Sequence, residues 1–403
     1  MSRQDTKHRQ PVKHPARTDA AATGLAPALG TRAAGALAAR LVEWFSKQAR
    51  DLPWRRTLDP YGIWVAEIML QQTQVKTVIP YWTRWMKELP NLQSLAAARL
   101  EAVLKLWEGL GYYSRVRNLQ KAAQDLVSNR NATVPRDLQA IDALPGVGRY
   151  TAGAIASIAF DLPAAILDGN VLRVLTRLLG IEGDPRERNV SRMLWGAAAS
   201  LVAAAARLPK AKRALPPRPL RLAGPCSALN QSLMELGATI CLPRQPRCTE
   251  CPLRGRCVAC RTGRTAEIPN LGPRPAATDR RFAAFLVQHR GRWLVRRRPA
   301  GVVNAHLWEF PNAELTPGAE PVAAASVLLG FTPASLRPFH TVRHSITRSR
   351  IVLEAHLASC RGRPRLRPGS WRWLAPAELE PLAWPSAHRQ ILTRMLASAT
   401  TTT

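Results

Sequence analysis

Hydrophobic positions recur at helical spacing from about residue 35 onward. Leu37, Leu41, Trp44 and Phe45 fall at i, i+4, i+7 and i+8, which places them on one face of a helix. The same periodicity predicts further helices over 75–89, 92–110, 114–127 and 149–160. We therefore predict a mainly α-helical domain over residues 35–262.

One predicted helix carries a carboxyl group on its apolar face. Asp59-Pro60 is typical of a helix start, because an aspartate can cap free N–H groups and proline fits the first helical position. The helix that follows places Ile63, Glu67 and Leu70 on neighbouring positions of one face. Burial there would raise the pKa of Glu67, so that the group keeps its proton. Such a carboxyl is a candidate general acid.

The last third of the chain has a different pattern. Residues 282–288 and 293–298 are β-like runs on either side of His289-Arg290-Gly291, which indicates a hairpin. A further strand pair is predicted over 342–357 and a helix over 376–396. This pattern predicts a smaller mixed α/β domain over 280–396.

The remaining segments are predicted to connect or flank these two domains. Residues 1–34 and 397–403 are expected to be tails, and the segment 263–279, with several prolines and glycines, a linker. Residues 205–225 alternate arginine and lysine with proline and leucine and contain no acidic residue, which indicates a basic loop or insertion.

Composition and charge narrow the class of partner. The 403-residue chain has a formal net charge of +31, which favours polyanion binding through counterion release, although arginines scattered over a surface would give the same total. A hydrophobic fraction of 46% is typical of a globular protein. We find no apolar run long enough to span a membrane and no signal peptide, and so expect a cytoplasmic protein, nucleoid-associated if bacterial.

The segment 138–152 predicts two helices joined by a tight turn, Leu-Pro-Gly-Val-Gly, at 144–148. Gly146 and Gly148 allow the backbone to turn sharply and approach another surface. The second helix, which begins near Arg149, presents free N–H groups and its positive dipole end at the turn, where a DNA phosphate would fit. The segment resembles the helix–hairpin–helix motif of DNA repair proteins. A packing corner between two helices is the alternative.

Five of the seven cysteines lie between residues 241 and 260. Four of them have the spacing C-x6-C-x2-C-x5-C, namely Cys241, Cys248, Cys251 and Cys257. Four thiolates so close in sequence can hold a cubane cluster or a zinc ion. The uneven spacing resembles the [4Fe–4S] loop of the endonuclease III superfamily. Arg244 and Arg247 lie between the first two cysteines and are candidates for phosphate contact, whereas Cys260 lies just outside the set.

Four further stretches make the family resemblance specific. Residues 53–55, 60–75, 109–115 and 166–171 resemble the signature of adenine DNA glycosylases of the helix–hairpin–helix superfamily, and the similarity runs from about residue 38 to 260. The resemblance implies a helix–hairpin–helix glycosylase fold with a [4Fe–4S] cluster. It also implies that the substrate is double-stranded DNA in which adenine is mispaired with 8-oxoguanine or guanine.

The resemblance assigns two carboxylates to the chemistry. Adenine leaves poorly as an anion, so a general acid must protonate it, and Glu67 suits that role. The sugar becomes oxocarbenium-like, and Asp168, at a turn with Gly169 and Asn170, suits its stabilisation. Asn170 and Tyr150 are expected to assist. The expected adenine pocket consists of Trp54, Arg55 and Gln231, and the expected wedges into the duplex are Leu70, Gln72 and Tyr112.

Position 150 separates two reaction types. Bifunctional relatives have a lysine there, which attacks the sugar as a Schiff-base nucleophile. Tyr150 cannot form that imine. We therefore expect hydrolysis by water, with little or no strand cleavage.

The second domain resembles a Nudix fold in residues 294–299 and 307–311. Glu314 and Glu320 do not form the glutamate cluster that holds Mg²⁺ in Nudix hydrolases, so we expect no pyrophosphate hydrolysis. In the family this domain recognises 8-oxoguanine with a Phe-Ser-His loop. His344 keeps the histidine, whereas Val342 and Arg343 stand where phenylalanine and serine are usual.

Three functions compete at this point. The first is a monomeric adenine glycosylase. The second is an endonuclease III-like lyase for oxidised pyrimidines, which Tyr150 and the Nudix-like domain disfavour. The third is a lesion-binding protein without activity, which the presence of both Glu67 and Asp168 disfavours.

Overall fold

A computed structural model describes residues 29–209, 219–273, 276–346, 348–360 and 371–400 of the chain. Its first part is helical. The helices are α1 (Thr31–Gln48), α2 (Pro60–Leu70), α3 (Val75–Glu88), α4 (Leu92–Ala97), α5 (Leu100–Leu106), α6 (Ser114–Asn129), α7 (Leu138–Asp142), α8 (Arg149–Phe160), α9 (Gly169–Leu179), α10 (Arg188–Ala206), α11 (Pro225–Thr239) and α12 (Val258–Arg261).

The helical part contains two apolar cores. One is built around α3 to α6 and includes Trp85 and Trp107, and the other is built around α1, α9, α10 and α11 and includes Phe45. Helix α2 contributes Trp64 to the first core and Ile63 to the second, and α8 also contributes to both. These two helices therefore lie at the junction of the cores, where a cleft between the two cores can form.

The second part of the chain is a mixed sheet covered by helices on both faces. Its strands are β1 (Thr278–His289), β2 (Arg292–Arg297), β3 (Trp308–Glu309), β4 (Asn312–Leu315), β5 (Ser335–Ile346), β6 (Ser349–Ser359) and β7 (Trp371–Leu374), and its helices are α13 (Pro321–Leu329), α14 (Pro376–Leu379) and α15 (Ser386–Thr400). The strand order is β3-β2-β1-β6-β5, and β1 and β6 pair in parallel.

Alternating side chains of β1 explain how this sheet is covered. Ala284 and Leu286 pack in a core with α15, whereas Ala283, Phe285 and Val287 pack in a core with α13. Because successive side chains of a strand point to opposite faces, both faces of the sheet are apolar and both are buried.

The two parts of the chain are in direct contact. Leu307 and Ala383 of the second part are fully or almost fully buried in the core around α3 to α6. Beside them, Glu108 accepts hydrogen bonds from Arg389 Nε at 2.8 Å and from the backbone N–H of Trp384 at 3.0 Å, and it pairs with Lys105 at 2.8 Å. The second domain is thus anchored by apolar packing and by a partly buried charge cluster.

Several element boundaries differ from those predicted. The helix expected over 92–110 is two helices, because the backbone of Ala98 and Arg99 is extended and each helix turns its own apolar residues to the core. The helix expected over 376–396 is also interrupted, since Pro381 and Pro385 lie between α14 and α15 and lack a backbone N–H.

Helices and a strand extend into the expected tails, linker and insertion. Helix α1 begins at Thr31 and α15 ends at Thr400, so each takes in a few residues of an expected tail. Strand β1 begins at Thr278, inside the expected linker. Helix α10 ends at Ala206 and α11 begins at Pro225, and residues 210–218 of the expected insertion lie outside the described residues. No helix in the described ranges is long and apolar enough to cross a membrane.

Candidate active site and nucleic-acid interface

Glu67 lies on α2 with its carboxyl group buried. The helix starts at the predicted cap, where Asp59 accepts hydrogen bonds from the N–H groups of Tyr61 and Gly62 at 3.1 Å. Glu67 is 5% exposed, and its Oε2 accepts a hydrogen bond from the Tyr150 hydroxyl at 3.0 Å. Burial raises the pKa of Glu67 to about 7, although the bond from Tyr150 acts in the opposite direction. The group can therefore hold a proton at neutral pH.

Asp168 caps the N-terminus of α9. Its carboxylate accepts a hydrogen bond from the backbone N–H of Val171 at 2.7 Å and another from Asn170 Nδ2 at 3.1 Å. Burial raises the pKa of Asp168, and these two donors oppose that shift because they stabilise the ionised form. The helix N-terminus also favours a negative charge at this position. Asn170 thus donates directly to the Asp168 carboxylate.

The expected catalytic and adenine-pocket residues line one cavity of about 490 Å³. Its wall includes Glu67, Tyr150, Asp168, Asn170, Trp54, Arg55, Gln231, Leu70 and Gln72. The side chains come from α2, α8, α9, α11 and the 53–55 turn, which meet at the junction of the two cores. Two carboxyl groups with different hydrogen-bond partners therefore face one space large enough for a base and its sugar.

A buried charge network supports the pocket, and sequence reasoning missed its centre. Glu235 on α11 accepts hydrogen bonds from Arg50 Nε at 2.8 Å and from Arg55 Nη2 at 3.0 Å. Burial alone would raise its pKa, but the two guanidinium groups lower the pKa of Glu235 to about 2. Arg55 also donates to Gln231 Oε1 at 3.0 Å, so both expected pocket residues are held in place. In the sequence, only the position of an acidic residue on an apolar helix face could have indicated that Glu235 is buried.

Two of the expected wedges lie at strained, exposed points of the backbone. Gln72 has φ 58° just beyond the end of α2, and Tyr112 has φ 46° just before α6. Residues other than glycine adopt this left-handed region at a cost, and such sites are enriched where function requires them. Tyr112 is 44% exposed, whereas Leu70 is partly buried in the cavity wall.

Arg115 links the loop that carries Gln72 to the loop that carries Tyr112. Its Nη1 donates to the carbonyl oxygen of Gln71 at 2.6 Å, and its Nη2 donates to the carbonyl oxygen of Gly111 at 3.1 Å. Its guanidinium also lies over the rings of Trp107 and Tyr112, at 5.3 and 5.6 Å from the ring centroids. Arg115 belongs to the stretch 109–115 that resembles the family signature, but the sequence does not indicate that its side chain links two loops.

The hairpin between α7 and α8 adopts a tight turn. Gly146 has φ 76°, and a Cβ atom there would stand 2.5 Å from the Cβ of Asn118. Gly148 is the exposed N-cap residue of α8, and because glycine has no side chain it cannot cap the first N–H groups of that helix. The first N–H groups of α8 thus point outward at an exposed turn, which suits an anion. Arg149 is also exposed, with its guanidinium 3.9 Å from the ring centroid of Trp195.

The four predicted cysteine ligands line one small cavity. Its volume is about 30 Å³, and a fifth cysteine, Cys260, lies in the same wall. Burial raises the pKa of Cys251 to about 12, so a thiolate there requires a cation nearby. Within the ranges that the structure describes, no three histidine, cysteine or acidic side chains are arranged to hold a single metal ion.

The surroundings of the cysteine cavity fit a group with anionic sulfur ligands. Arg177 is 2% exposed, donates to Cys241 Sγ at 3.4 Å and is held by the carbonyl oxygen of Leu242 at 2.6 Å. Arg244 and Arg247 are both exposed, and Arg247 pairs with Glu250 at 3.5 Å.

Comparison with known proteins decides the family. Residues 65–199 match the HhH-GPD superfamily of base excision DNA repair proteins, and residues 283–394 match the NUDIX domain. Adenine DNA glycosylase of Homo sapiens is 34% identical over 414 residues, which is 87% of this chain and 72% of that protein. The chain belongs to the adenine DNA glycosylase family.

Two further relatives carry the same name. Adenine DNA glycosylase of Rattus norvegicus is 39% identical over 332 residues, which is 70% of this chain and 61% of the rat protein. That of Buchnera aphidicola subsp. Acyrthosiphon pisum is 33% identical over 273 residues, or 68% of this chain and 73% of the relative. The chain thus spans less than two thirds of the rat protein's length.

In this member of the adenine DNA glycosylase family, the segment 342–344, which was expected to read the opposite base, lies on the edge strand β5. Val342 is buried in the sheet core, and Arg343 is exposed. His344 is partly buried, and its Nδ1 atom is buried with no hydrogen-bond partner among the described residues. Burial lowers the pKa of His344, so the imidazole is held neutral with one polar atom left to pair.

Proposed function

We propose that this protein excises adenine mispaired with 8-oxoguanine or guanine in duplex DNA and leaves an abasic site. One observation carries the proposal. Glu67, with a pKa of about 7, shares a cavity with Asp168, whose carboxylate accepts two hydrogen bonds. Pairs of carboxyl groups whose environments differ in this way divide the acid and the charge-stabilising roles of glycoside cleavage.

The reaction begins with proton transfer from Glu67 to N7 of the flipped adenine. The bond between C1′ and N9 then breaks, and its electron pair leaves with the neutral base. Asp168, ionised and facing the same cavity, stabilises the oxocarbenium-like sugar. Water adds to C1′, and its proton returns to a carboxylate. The products are adenine and an abasic sugar.

Tyr150 makes the reaction monofunctional. Its side chain is a phenol and not an amine. The hydroxyl donates to Glu67 at 3.0 Å, and burial raises the pKa of Tyr150 well above its ordinary value, so the group is not a phenolate nucleophile either. A Schiff base with the sugar requires an amine. We therefore expect little or no strand cleavage, in contrast with an endonuclease III-like lyase.

DNA is bound by wedges, a hairpin and basic loops. The base must leave the stack before it reaches the cavity, at a cost of a few kcal/mol that is smallest at a mispair. Leu70, Gln72 and Tyr112 fill the gap, and the left-handed backbone of the last two aims them outward. Phosphates meet the α8 N-terminus at Gly146, Gly148 and Arg149 and the exposed side chains of Arg244 and Arg247.

The thiolates of Cys241, Cys248, Cys251 and Cys257 would hold a [4Fe–4S] cluster. Their common cavity and the buried guanidinium of Arg177 at the Cys241 sulfur support this assignment. When bound, the cluster supplies the positive iron that keeps buried thiolates ionised, and it cross-links the loop that carries Arg244 and Arg247. Zinc on the same ligands is the competing assignment.

His344 reads the base opposite the adenine from the second domain, and Arg343 beside it contacts phosphate. The position of His344 on the edge strand β5 and the exposed guanidinium of Arg343 support these two roles. We expect the protein to act as a monomer in the cytoplasm, on the nucleoid if the source is bacterial.

A panel of duplexes tests the proposed function. The full-length protein is incubated with duplexes that hold adenine opposite 8-oxoguanine, adenine opposite guanine, or thymine glycol, and abasic sites are cleaved with alkali. Products only from the two adenine duplexes, and only after alkali, would support a monofunctional adenine glycosylase. Thymine glycol cleavage without alkali would indicate the lyase, and binding without any product would indicate a lesion-binding protein.

A further inference from the structure

The hydroxyl group of Tyr150 lies between two acceptors. Its oxygen is 3.0 Å from Glu67 Oε2 and 3.3 Å from the sulfur atom of Met234, which lies on α11 and lines the same cavity. The side chains of Tyr150 and Met234 both pack against the core around α1, α9, α10 and α11. A phenol has one hydrogen atom, which can turn about the C–O bond but serves only one of these acceptors well at a time.

The charge of Glu67 decides which acceptor takes this hydrogen. An ionised carboxylate accepts stronger hydrogen bonds than a neutral group does, whereas a thioether is a weak acceptor. When Glu67 is ionised, the Tyr150 hydroxyl therefore donates to Oε2. Once Glu67 is protonated that advantage is lost, and the Met234 sulfur can take the hydrogen instead.

We propose that Met234 is a positioning residue, which accepts the Tyr150 hydrogen bond while Glu67 holds its proton and yields it to Glu67 as that proton leaves. This inference rests on the proposed function, in which Glu67 protonates adenine. The proton of Glu67 passes to N7 of the base. Tyr150 keeps its own proton throughout and changes only its acceptor, so no covalent bond of Tyr150 or Met234 forms or breaks.

This exchange places the hydrogen bond where it aids the reaction. A bond that forms as the proton leaves Glu67 stabilises the transition state more than the ground state, which is the condition for faster chemistry. The same bond held from the start would stabilise ionised Glu67 in the resting protein and lower its pKa. Without the sulfur, fewer molecules would carry a protonated Glu67 at neutral pH.

Other charged groups face the same cavity, but a substitution of Met234 leaves their charges unchanged. Asp168 raises the pKa of Glu67 and Arg55 lowers it. The other charged side chains that the structure describes in the cavity wall are Arg50, Arg221 and Glu235. Met234→Leu nearly conserves side-chain volume and removes the acceptor without a change of charge. A shift in the pKa of Glu67 in this variant therefore reports on the hydrogen bond.

Infrared titration of the free, full-length protein tests the exchange without DNA. The C=O stretch of a protonated carboxyl group is lost on ionisation, and Glu67→Gln identifies the band of Glu67. Met234→Leu should lower the pH midpoint of this band by about 0.5–1 unit, the size expected when one hydrogen bond changes its partner. Met193→Leu, at a partly buried methionine of α10, should leave the midpoint in place. A midpoint in Met234→Leu that is unchanged or raised would overturn the proposal.

A Tyr150→Phe background shows whether the sulfur acts through the hydroxyl. The single variant Tyr150→Phe and the double variant Tyr150→Phe/Met234→Leu should titrate at the same pH, because neither has a hydroxyl to share. An equal shift by Met234→Leu with and without the hydroxyl would overturn the proposal.

The pH profile of single-turnover adenine release carries the test to the reaction. The alkaline limb should move to lower pH in Met234→Leu by the amount that the infrared midpoint moves. A rate lowered equally at every pH, with the limb in place, would show that Met234 only packs and would overturn the proposal. Wild-type protein that releases no adenine would instead refute the proposed function, and the infrared titration would still decide between the two acceptors.

Discussion

In the proposed reaction Tyr150 has two effects, one through its contact with Glu67 and one through the lack of an amine at this position. The hydroxyl donates to Glu67 Oε2 at 3.0 Å, which stabilises the ionised carboxylate and so opposes the effect of burial. In the proposed reaction it also occupies the place beside the sugar where bifunctional relatives have an amine. In that reaction the residue would both tune the acid and exclude the lyase chemistry.

The first effect predicts a pH dependence. Glu67 must be protonated to act, and its pKa is about 7, so the single-turnover rate of adenine release should fall as the pH rises above about 7. Tyr150→Phe removes a bond that lowers this pKa, and the alkaline limb should therefore move to higher pH. Rate measurements from pH 5 to 9 would test both statements. An unchanged limb in Tyr150→Phe would show that the limb belongs to another group.

The second effect predicts a change of reaction type. Tyr150→Lys places an amine next to the sugar, and an amine can attack C1′ to form an imine. We expect borohydride to trap a covalent protein–DNA adduct with this variant and none with wild type. Lack of an adduct in a folded Tyr150→Lys variant would contradict the placement of residue 150 beside the sugar.

At this scale the sequence located the side chains that line the cavity better than the charge network beside it. Glu67 and Asp168, which line one cavity, could be singled out because a helix cap, a turn and a family motif surround them. Glu235 could not, because its partners Arg50 and Arg55 are some 180 residues away in the chain and only folding brings the charges together. The role of Arg115 depends equally on carbonyl groups of two separate loops.

Among the elements, the hairpin 144–148 allows the proposed phosphate contact to be tested against its backbone conformation. Gly146→Ala would force a side chain into the left-handed region and against Asn118, so we expect a loss of about 1–2 kcal/mol of stability together with weaker DNA binding. Urea unfolding and DNA titration measure the two effects.

Gly148 provides the matched control for Gly146. A Cβ atom at Gly148 meets nothing within 4 Å, and its φ of −116° suits any residue. Gly148→Ala should therefore leave stability unchanged and weaken only DNA binding, since the added methyl group stands where a phosphate approaches. Equal destabilisation by the two substitutions would show that the hairpin is a packing corner.

Element boundaries were predictable where local chemistry sets them. The start of α2 follows from Asp59 and Pro60, and the structure places both as predicted. The break between α4 and α5 did not follow, because Leu95 and Val103 are both apolar and the periodicity continues across Ala98 and Arg99. Tertiary packing around the core, and not local propensity, ends that helix.

For the whole molecule, the two domains share a core. Leu307 and Ala383 pack among residues of α3 to α6, and Glu108 joins Arg389. Deleting residues 280–403 would expose that core, and so a truncated protein would confound lesion recognition with stability. Point substitutions on β5 avoid this difficulty.

Substitutions at β5 should separate base reading from phosphate contact. His344→Ala should reduce discrimination for adenine opposite 8-oxoguanine over adenine opposite guanine by about 1–3 kcal/mol, because a polar atom of the base loses its partner. Arg343→Ala should weaken binding to all duplexes and lower the salt slope by about 1 if its contact is to phosphate. Binding and excision on both duplexes at several salt concentrations measure these effects. Equal effects of His344→Ala on the two duplexes would contradict lesion reading by this residue.

The central claim is that Glu67 donates the proton that releases adenine, and Glu67→Gln tests it most directly. Single-turnover adenine release and binding are measured on one duplex with adenine opposite 8-oxoguanine, with Glu43→Gln, an exposed glutamate paired with Lys47, as the control. We predict that Glu67→Gln lowers the rate by about 10²- to 10⁴-fold, as expected for the loss of a general acid, with binding close to that of wild type. A rate close to that of wild type in Glu67→Gln would contradict the account.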